Sequence, residues 1–129
     1  KNITHFEFLT FDYGDRFPRN DFSTRIYEKH SVYPIFEENL PLEKLFKNSD
    51  ITYDIHFNYL GDCFKDLGIL NIKFNTQLKS LVEFGILDLL ELVTAKVNDK
   101  TYLKETQKVK VLLEPTGMGD RFKTLNIRK

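Results

Sequence analysis

The chain has 129 residues and a mass of 15.3 kDa, which is typical of one globular domain with a real core. Hydrophobic residues make up 41% of the chain and aromatic residues 14%, so intrinsic disorder is excluded. The net charge is zero, which argues against binding to nucleic acid or membranes through overall charge.

The first third of the chain predicts two strands and a short helix. Residues 2–13 are rich in aromatic and β-branched side chains and predict a strand. Residues 14–21 have the composition of a loop, and residues 22–32 favour a second strand. A helix is predicted over 41–47, because Pro41 suits the first helical position.

Residues 51–60 have the most regular pattern in the chain. Apolar and polar residues alternate there, in the order Ile51, Thr52, Tyr53, Asp54, Ile55, His56, Phe57, Asn58 and Tyr59. This alternation predicts a half-buried strand with one wet face. A further strand is predicted over 68–74.

The principal helix is predicted over 76–93. Its apolar residues recur at helical spacing and are Leu78, Leu81, Val82, Ile86, Leu89 and Val93. Asn75 is a candidate N-cap. Gly85 leaves a second possibility, in which it ends the helix and residues 86–97 form a strand.

The last quarter predicts further strands. Asn98, Asp99 and Lys100 have the chemistry of a tight turn between two strands. The predicted segments are strands at 92–97, 101–104 and 108–114, a loop at 115–120 and a closing strand at 121–128.

Together these elements predict an α+β fold for a single domain, residues 1–129. A mostly antiparallel sheet packs against the helix at 76–93. The predicted core comprises Phe6 or its neighbours, Ile51, Tyr53, Ile55, Phe57, Leu78, Leu81, Val82, Ile86, Leu89, Val109, Val111 and Leu113.

The tetrapeptide Gly-Asp-Arg-Phe occurs twice, at 14–17 and at 119–122. The residues that flank the two copies do not match, so an internal duplication is not indicated. Two loops that use the same turn chemistry account for the repetition better.

No arrangement of residues predicts catalysis, a cofactor or a metal site. The serines lack a nucleophile-elbow motif, and Cys63 has no basic residue beside it. Asp54, His56 and Asn58 share the polar face of the strand predicted at 51–60, which is typical of a solvated strand. We therefore predict a protein that is not an enzyme, with a metal-dependent enzyme centred on Asp54 and His56 as an alternative.

Charge is distributed unevenly along the chain. Residues 34–95 carry a net charge of −5, and residues 96–129 carry +5. Basic residues interleaved with a tyrosine on neighbouring strands could bind nucleic acid, which is the first alternative function. The residues for this alternative are Lys96, Lys100, Tyr102, Lys104, Lys108, Lys110, Arg121, Lys123 and Arg128.

The function that the sequence favours is docking of a small non-catalytic protein on a macromolecular partner. The abundant Phe and Tyr residues are common interface anchors, and a protein partner or a second copy is favoured over nucleic acid. The lone cysteine, Cys63, and the lack of an apolar run of membrane-spanning length predict a cytoplasmic protein without a membrane partner. Residues with AT-rich codons are abundant, which points to a phage, a mobile element or a low-GC bacterium.

Overall fold

The computed structural model describes residues 4–17 and 22–129. The strands are β1 (Glu7–Asp15), β2 (Arg25–Glu28), β3 (Ser31–Pro34), β4 (Asp50–Thr52), β5 (Ile55–His56), β6 (Asn71–Thr76) and β7 (Phe122–Arg128). The helices are α1 (Leu42–Leu45), α2 (Phe57–Asp66), α3 (Gln77–Glu83), α4 (Ile86–Thr94) and α5 (Asp99–Leu113), and a π-helical turn spans Pro115–Gly119.

The strands form two sheets. The main sheet has the order β5-β1-β7-β6, in which β7 is antiparallel to both β1 and β6, and β5 is parallel to β1. The smaller sheet has the order β3-β2-β4 and is antiparallel throughout. The predicted α+β fold with mostly antiparallel pairing is therefore confirmed, and a closing strand at the end of the chain is confirmed as β7.

The core lies between the main sheet and α2. Alternation along β7 directs Leu125 and Ile127 to this side, where they are buried with Phe57 of α2 and with Ile69. Phe57 also contacts Phe74 of β6, with ring centroids 5.3 Å apart. The sheet therefore has one apolar face, and α2 packs against it.

The opposite face of the sheet is polar and packs against α3. Thr124 of β7 is buried and shares a hydrogen bond with the Ser80 hydroxyl of α3. Buried Gln77 donates its amide to the Leu112 carbonyl at 2.8 Å. These polar groups are buried with partners, which keeps the cost of their desolvation small.

The prediction of a strand over 51–60 is wrong beyond its first residues. Two short strands, β4 and β5, occupy the start of this segment, and α2 begins at Phe57. His56 Nδ1 accepts the Tyr59 amide at 3.3 Å and thereby caps the helix. Phe57, Leu60 and Phe64 are spaced as one helical stripe, which the apparent alternation obscures.

The single helix predicted at 76–93 is two helices. Gly85 has φ +83° and ends α3, as the second possibility required, but α4 follows it instead of a strand. Thr76, not Asn75, caps α3, since its hydroxyl accepts the Lys79 amide. The strand predicted at 92–97 is therefore absent as well.

The strands predicted at 101–104 and 108–114 are wrong, because this segment is the helix α5. The Asn98 side chain accepts the Thr101 amide at 2.9 Å, so the supposed turn residue is an N-cap. The half-buried residues include a stripe at helical spacing: Tyr102, Thr106, Val109 and Leu113. Alternation over a few residues did not distinguish that stripe from a strand.

The predicted core is correct only in part. Phe57 is buried, and most of the other predicted residues are half-buried. Ile51, Tyr53, Val82, Leu89 and Val111 are instead exposed. Ile51 lies on the short strand β4 and Tyr53 between β4 and β5, so no long strand directs them into the core, and the other three lie on the exposed sides of α3, α4 and α5.

The sign of the stability change on replacing Gly85 by alanine distinguishes two helices from one continuous helix. In the interior of a continuous helix, replacing glycine by alanine stabilises by about 1 kcal/mol. At φ +83° a side chain is disfavoured, so we expect Gly85→Ala to lower the free energy of unfolding by about 1 kcal/mol. Urea denaturation measures this change, and a stabilised variant would contradict the break.

Candidate functional site

One cleft, which we call the inter-sheet cleft, has a volume of about 880 Å³. It lies where the end of β1 and the start of β7 approach the smaller sheet. Its lining mixes aromatic rings with charges of both signs. The lining residues are Tyr13, Gly14, Asp15, Phe17, Ser23, Arg25, Tyr27, Lys29, Asp50, Thr52, Tyr53, Asp54, Ile55, Asp120, Arg121 and Lys123.

Both copies of the Gly-Asp-Arg-Phe sequence contribute to this cleft. Because β1 and β7 are antiparallel, the end of one strand lies beside the start of the other, and Tyr13 contacts Phe122 with ring centroids 4.0 Å apart. A Cβ on Gly14 would lie 2.1 Å from the Ile55 carbonyl oxygen, and one on Gly119 2.5 Å from that of Leu113. Close backbone approach requires both glycines, which turn chemistry alone did not predict.

The charges in the inter-sheet cleft are open to solvent. Arg25 and Asp54 approach to 4.0 Å and are each about two-fifths exposed. The Asp54 amide donates to the Ser23 hydroxyl at 3.0 Å, and the Lys123 ammonium donates to the Asp120 carbonyl. Exposed pairs of this kind are weak, so the cleft offers adaptable polar contacts.

The structure does not assemble a metal centre around Asp54 and His56. Asp54 faces Arg25, whereas the Nδ1 atom of His56 accepts the amide hydrogen bond that caps α2. Within residues 4–17 and 22–129, no three or more His, Cys, Asp or Glu side chains are grouped to hold a metal ion. That the protein is not an enzyme stays a prediction.

A smaller cleft of about 240 Å³ lies on the polar face of the main sheet. Glu83 of α3 accepts hydrogen bonds there from Lys73 at 2.7 Å and from Asn75 at 3.2 Å. The hydrogen bond from Lys73 lowers the pKa of Glu83 below its usual value. Sequence inspection missed this cluster because its members lie on different elements.

Glu7 forms a second charged cluster near the C-terminal end of β7. Its carboxylate accepts hydrogen bonds from Asn126 at 2.8 Å and from Arg128 at 2.9 Å. These two bonds, that of Asn126 first, lower the pKa of Glu7. The Glu7–Arg128 pair thus links the start of β1 to the end of β7.

The residues of the nucleic-acid alternative are divided among several places. Lys100, Tyr102, Lys104, Lys108 and Lys110 lie on α5, and Lys96 lies just before it. Arg121 and Lys123 line the inter-sheet cleft, whereas Arg128 lies beside Glu7 at the other end of β7. The expected basic face of adjacent strands is absent from the described part of the chain, and nucleic-acid binding stays a prediction.

Exposed apolar surface is the most extensive feature of the molecule. Twenty-three large apolar side chains are exposed in the described residues, and six apolar side chains are buried. Helix α4 has no buried residue, although six of its nine residues are apolar. Leu89 and Leu92, which lie on one side of α4 and which we call the α4 face, are both more than half exposed.

Comparison with known proteins shows the fold and leaves the function open. No protein-family model and no curated protein matches this chain. The chain is similar to the crystal structure of an uncharacterized COG1565 superfamily protein from Burkholderia thailandensis, with a TM-score of 0.73 and 20% identity. The match covers 95% of this chain and 33% of that one, so the chain spans about a third of its neighbour's length. No helix among the described residues has the length and apolarity needed to cross a membrane.

The contact at Gly14 predicts a large loss of stability on substitution. We expect Gly14→Ala to lower the free energy of unfolding by about 3 kcal/mol, because its Cβ overlaps the Ile55 backbone. Gly68→Ala is the matched control, since Gly68 also has positive φ but no heavy atom lies within 4 Å of its Cβ. That control should lose about 1 kcal/mol. Thermal denaturation measures both losses. Equal losses of unfolding free energy in the two variants would contradict the close approach of Gly14 to the Ile55 backbone.

The lowered pKa of Glu83 predicts a dependence of stability on pH. A carboxyl whose pKa is lower in the folded state stabilises the fold above its unfolded pKa, and this contribution is lost as pH falls through the folded pKa. We therefore expect Glu83→Gln to reduce the fall in urea midpoint between about pH 5 and about pH 3. Glu91→Gln, at an exposed position of α4 without an ion pair to the described residues, should leave that fall unchanged. If the urea midpoint depended on pH in the same way in both variants, the pH dependence could not be assigned to Glu83.

Proposed function

We propose that this chain is a non-catalytic protein that docks on a protein partner through its exposed apolar surface. The observation that carries the proposal is its accessible surface of 10216 Å². A compact monomer of 15.3 kDa exposes about 7,100 Å², so this chain exposes about 40% more. The excess is larger than the area that one partner buries in a standard protein interface, about 800 Å².

The α4 face supports the same proposal in detail. Ile86, Leu90 and Val93 form the half-buried side of α4. Leu89 and Leu92, on another side, are 60% and 61% exposed. A helix that is apolar on several sides is usually covered on those sides, so an additional protein layer would suit α4. Exposed apolar patches of this extent mark protein interaction sites.

The size of the structural neighbour also supports docking. In that protein a unit of this fold belongs to a chain about three times as long. A larger protein context of this kind would provide polypeptide to cover the apolar surfaces. The opposite charges of residues 34–95 and 96–129 would help to orient a partner as it approaches.

Position-specific photo-crosslinking tests the proposal. A photoreactive phenylalanine analogue replaces Leu92 in the tagged chain, expressed in its native host and irradiated. We expect a discrete protein adduct, because a docked partner lies against the α4 face. Leu67 is the control position, since it is 71% exposed and lies outside that face.

The outcomes separate the candidate functions. An adduct from position 92 that survives nuclease and is absent from position 67 supports docking on a protein. An adduct that nuclease removes would favour the nucleic-acid alternative instead. No adduct at position 92, or the same adducts from both positions, would contradict the proposal.

A further inference from the structure

The backbone groups along one edge of β1 have no partner among the described residues. Phe6 and Lys129 exchange two hydrogen bonds, of 3.1 and 3.0 Å, which sets the phase of the antiparallel ladder. Because hydrogen-bonded residues alternate, the even-numbered residues of β1 bond to β7, and Glu7, Leu9 and Phe11 direct their N–H and C=O groups to the opposite side. On that side β5 pairs only with Gly14 and Asp15. We call these free groups of Glu7, Leu9 and Phe11 the β1 edge.

The β1 edge lacks several of the features that normally prevent strand addition. Natural edge strands are protected by lysine, proline or a β-bulge. The segment Glu7–Tyr13 contains no lysine, arginine or proline, and it pairs with β7 in unbroken register. In contrast β6, the edge strand on the other side of the sheet, carries Lys73 at its centre. The β1 edge is therefore suited to pairing.

Apolar side chains on both faces of β1 are incompletely covered. Leu9 is 42% exposed on the polar face of the sheet, and Phe8 is 38% exposed on the α2 face, where it stacks on Phe64. The Asp12 carboxylate accepts the Tyr13 amide at 2.8 Å, which closes this end of the free edge. A strand added alongside β1 would satisfy six backbone groups and cover apolar surface on both faces.

We propose that the β1 edge binds an extended strand of a different protein, with alternating apolar and basic residues. This inference rests on the proposed docking function and adds where and how the partner binds. The charged side chains of β1 are Glu7, Asp12 and Asp15, all acidic. Glu7 already pairs with Arg128, so a basic strand would complement Asp12 and Asp15. A second copy would place one acidic strand against another, which disfavours self-pairing.

A short peptide of defined sequence tests the edge directly. The probe is a blocked nonapeptide in which lysine and valine alternate, and the readout is amide hydrogen exchange of the whole chain. We expect a saturating peptide to slow exchange at Leu9 and Phe11 at least about tenfold, because their N–H groups gain partners. Thr10, which already bonds to β7, should change little. The control peptide has proline at two consecutive central positions, which removes N–H donors on both sides of the strand and so disrupts a ladder in either orientation.

Substitution at the edge completes the test. Leu9→Pro removes an N–H that does not bond to β7 and should abolish binding of the probe. If this variant loses its far-UV spectrum, Leu9→Lys at the same exposed position protects the edge without a proline and should weaken binding at least about tenfold. Slowed exchange that these variants abolish supports the proposal.

Three results would overturn the proposal that the β1 edge binds a strand of another protein. One is no slowing at Leu9 and Phe11, and another is equal slowing with the proline peptide. The third is a dimer in sedimentation that Leu9→Pro dissociates, which would assign the edge to a second copy. Cross-linking at position 92 provides the distinction from the proposed function. If the adduct at position 92 forms while the peptide does not slow exchange at the β1 edge, the proposed docking function is retained. Only the inference about the β1 edge is then rejected.

Discussion

The pairing of β1 with β7 is the interaction on which the rest of the structure depends. Seven residue pairs, from Glu7 with Arg128 to Tyr13 with Phe122, join the two ends of the described chain. Closing so long a loop costs conformational entropy, which these contacts must offset. The pairing places β7 in the centre of the main sheet, where β6 completes the other side. Both faces of the sheet, and both clefts, follow from this register.

Alternation along β7 then separates apolar from polar packing. Leu125 and Ile127 meet α2, and Thr124 meets Ser80 of α3 on the other side. The apolar core that results is small, because only one sheet face and one helix build it. Helices α4 and α5 contribute no buried residue. A small core beside a large apolar surface is the physical basis for expecting a protein partner.

The two ends of the β1–β7 pair differ in character. One end holds the inter-sheet cleft, where the two Gly-Asp-Arg-Phe copies meet around Tyr13 and Phe122. The other end holds the polar cluster of Glu7, Asn126 and Arg128. Between them the outer side of β1 presents the unpaired backbone of the β1 edge. The β1 edge therefore adjoins the contacts that stabilise the fold.

Local patterns in the sequence predicted those elements whose character depends on nearby residues. The α+β class, the strands at both ends of the chain and the importance of Gly85 were all accessible in this way, since composition and turn chemistry act over a few residues. Docking as a function also followed from composition, and it stays a proposal. The repetition of Gly-Asp-Arg-Phe was visible as well, although its reason was not.

Tertiary structure decided the features that depend on distant contacts. Segments with apparent strand alternation are the helices α2, which packs on the main sheet, and α5, which packs on α3 and α4. The core position of Phe57 was predicted, but its helix was not, because the apolar spacing of residues 57–64 fits a strand and a helix alike. The meeting of Gly14 with Ile55, and the free side of β1, arise only once strands far apart in the chain are paired. Periodicity predicts which side chains share a face, whereas contacts between distant elements decide whether that face is buried or left uncovered.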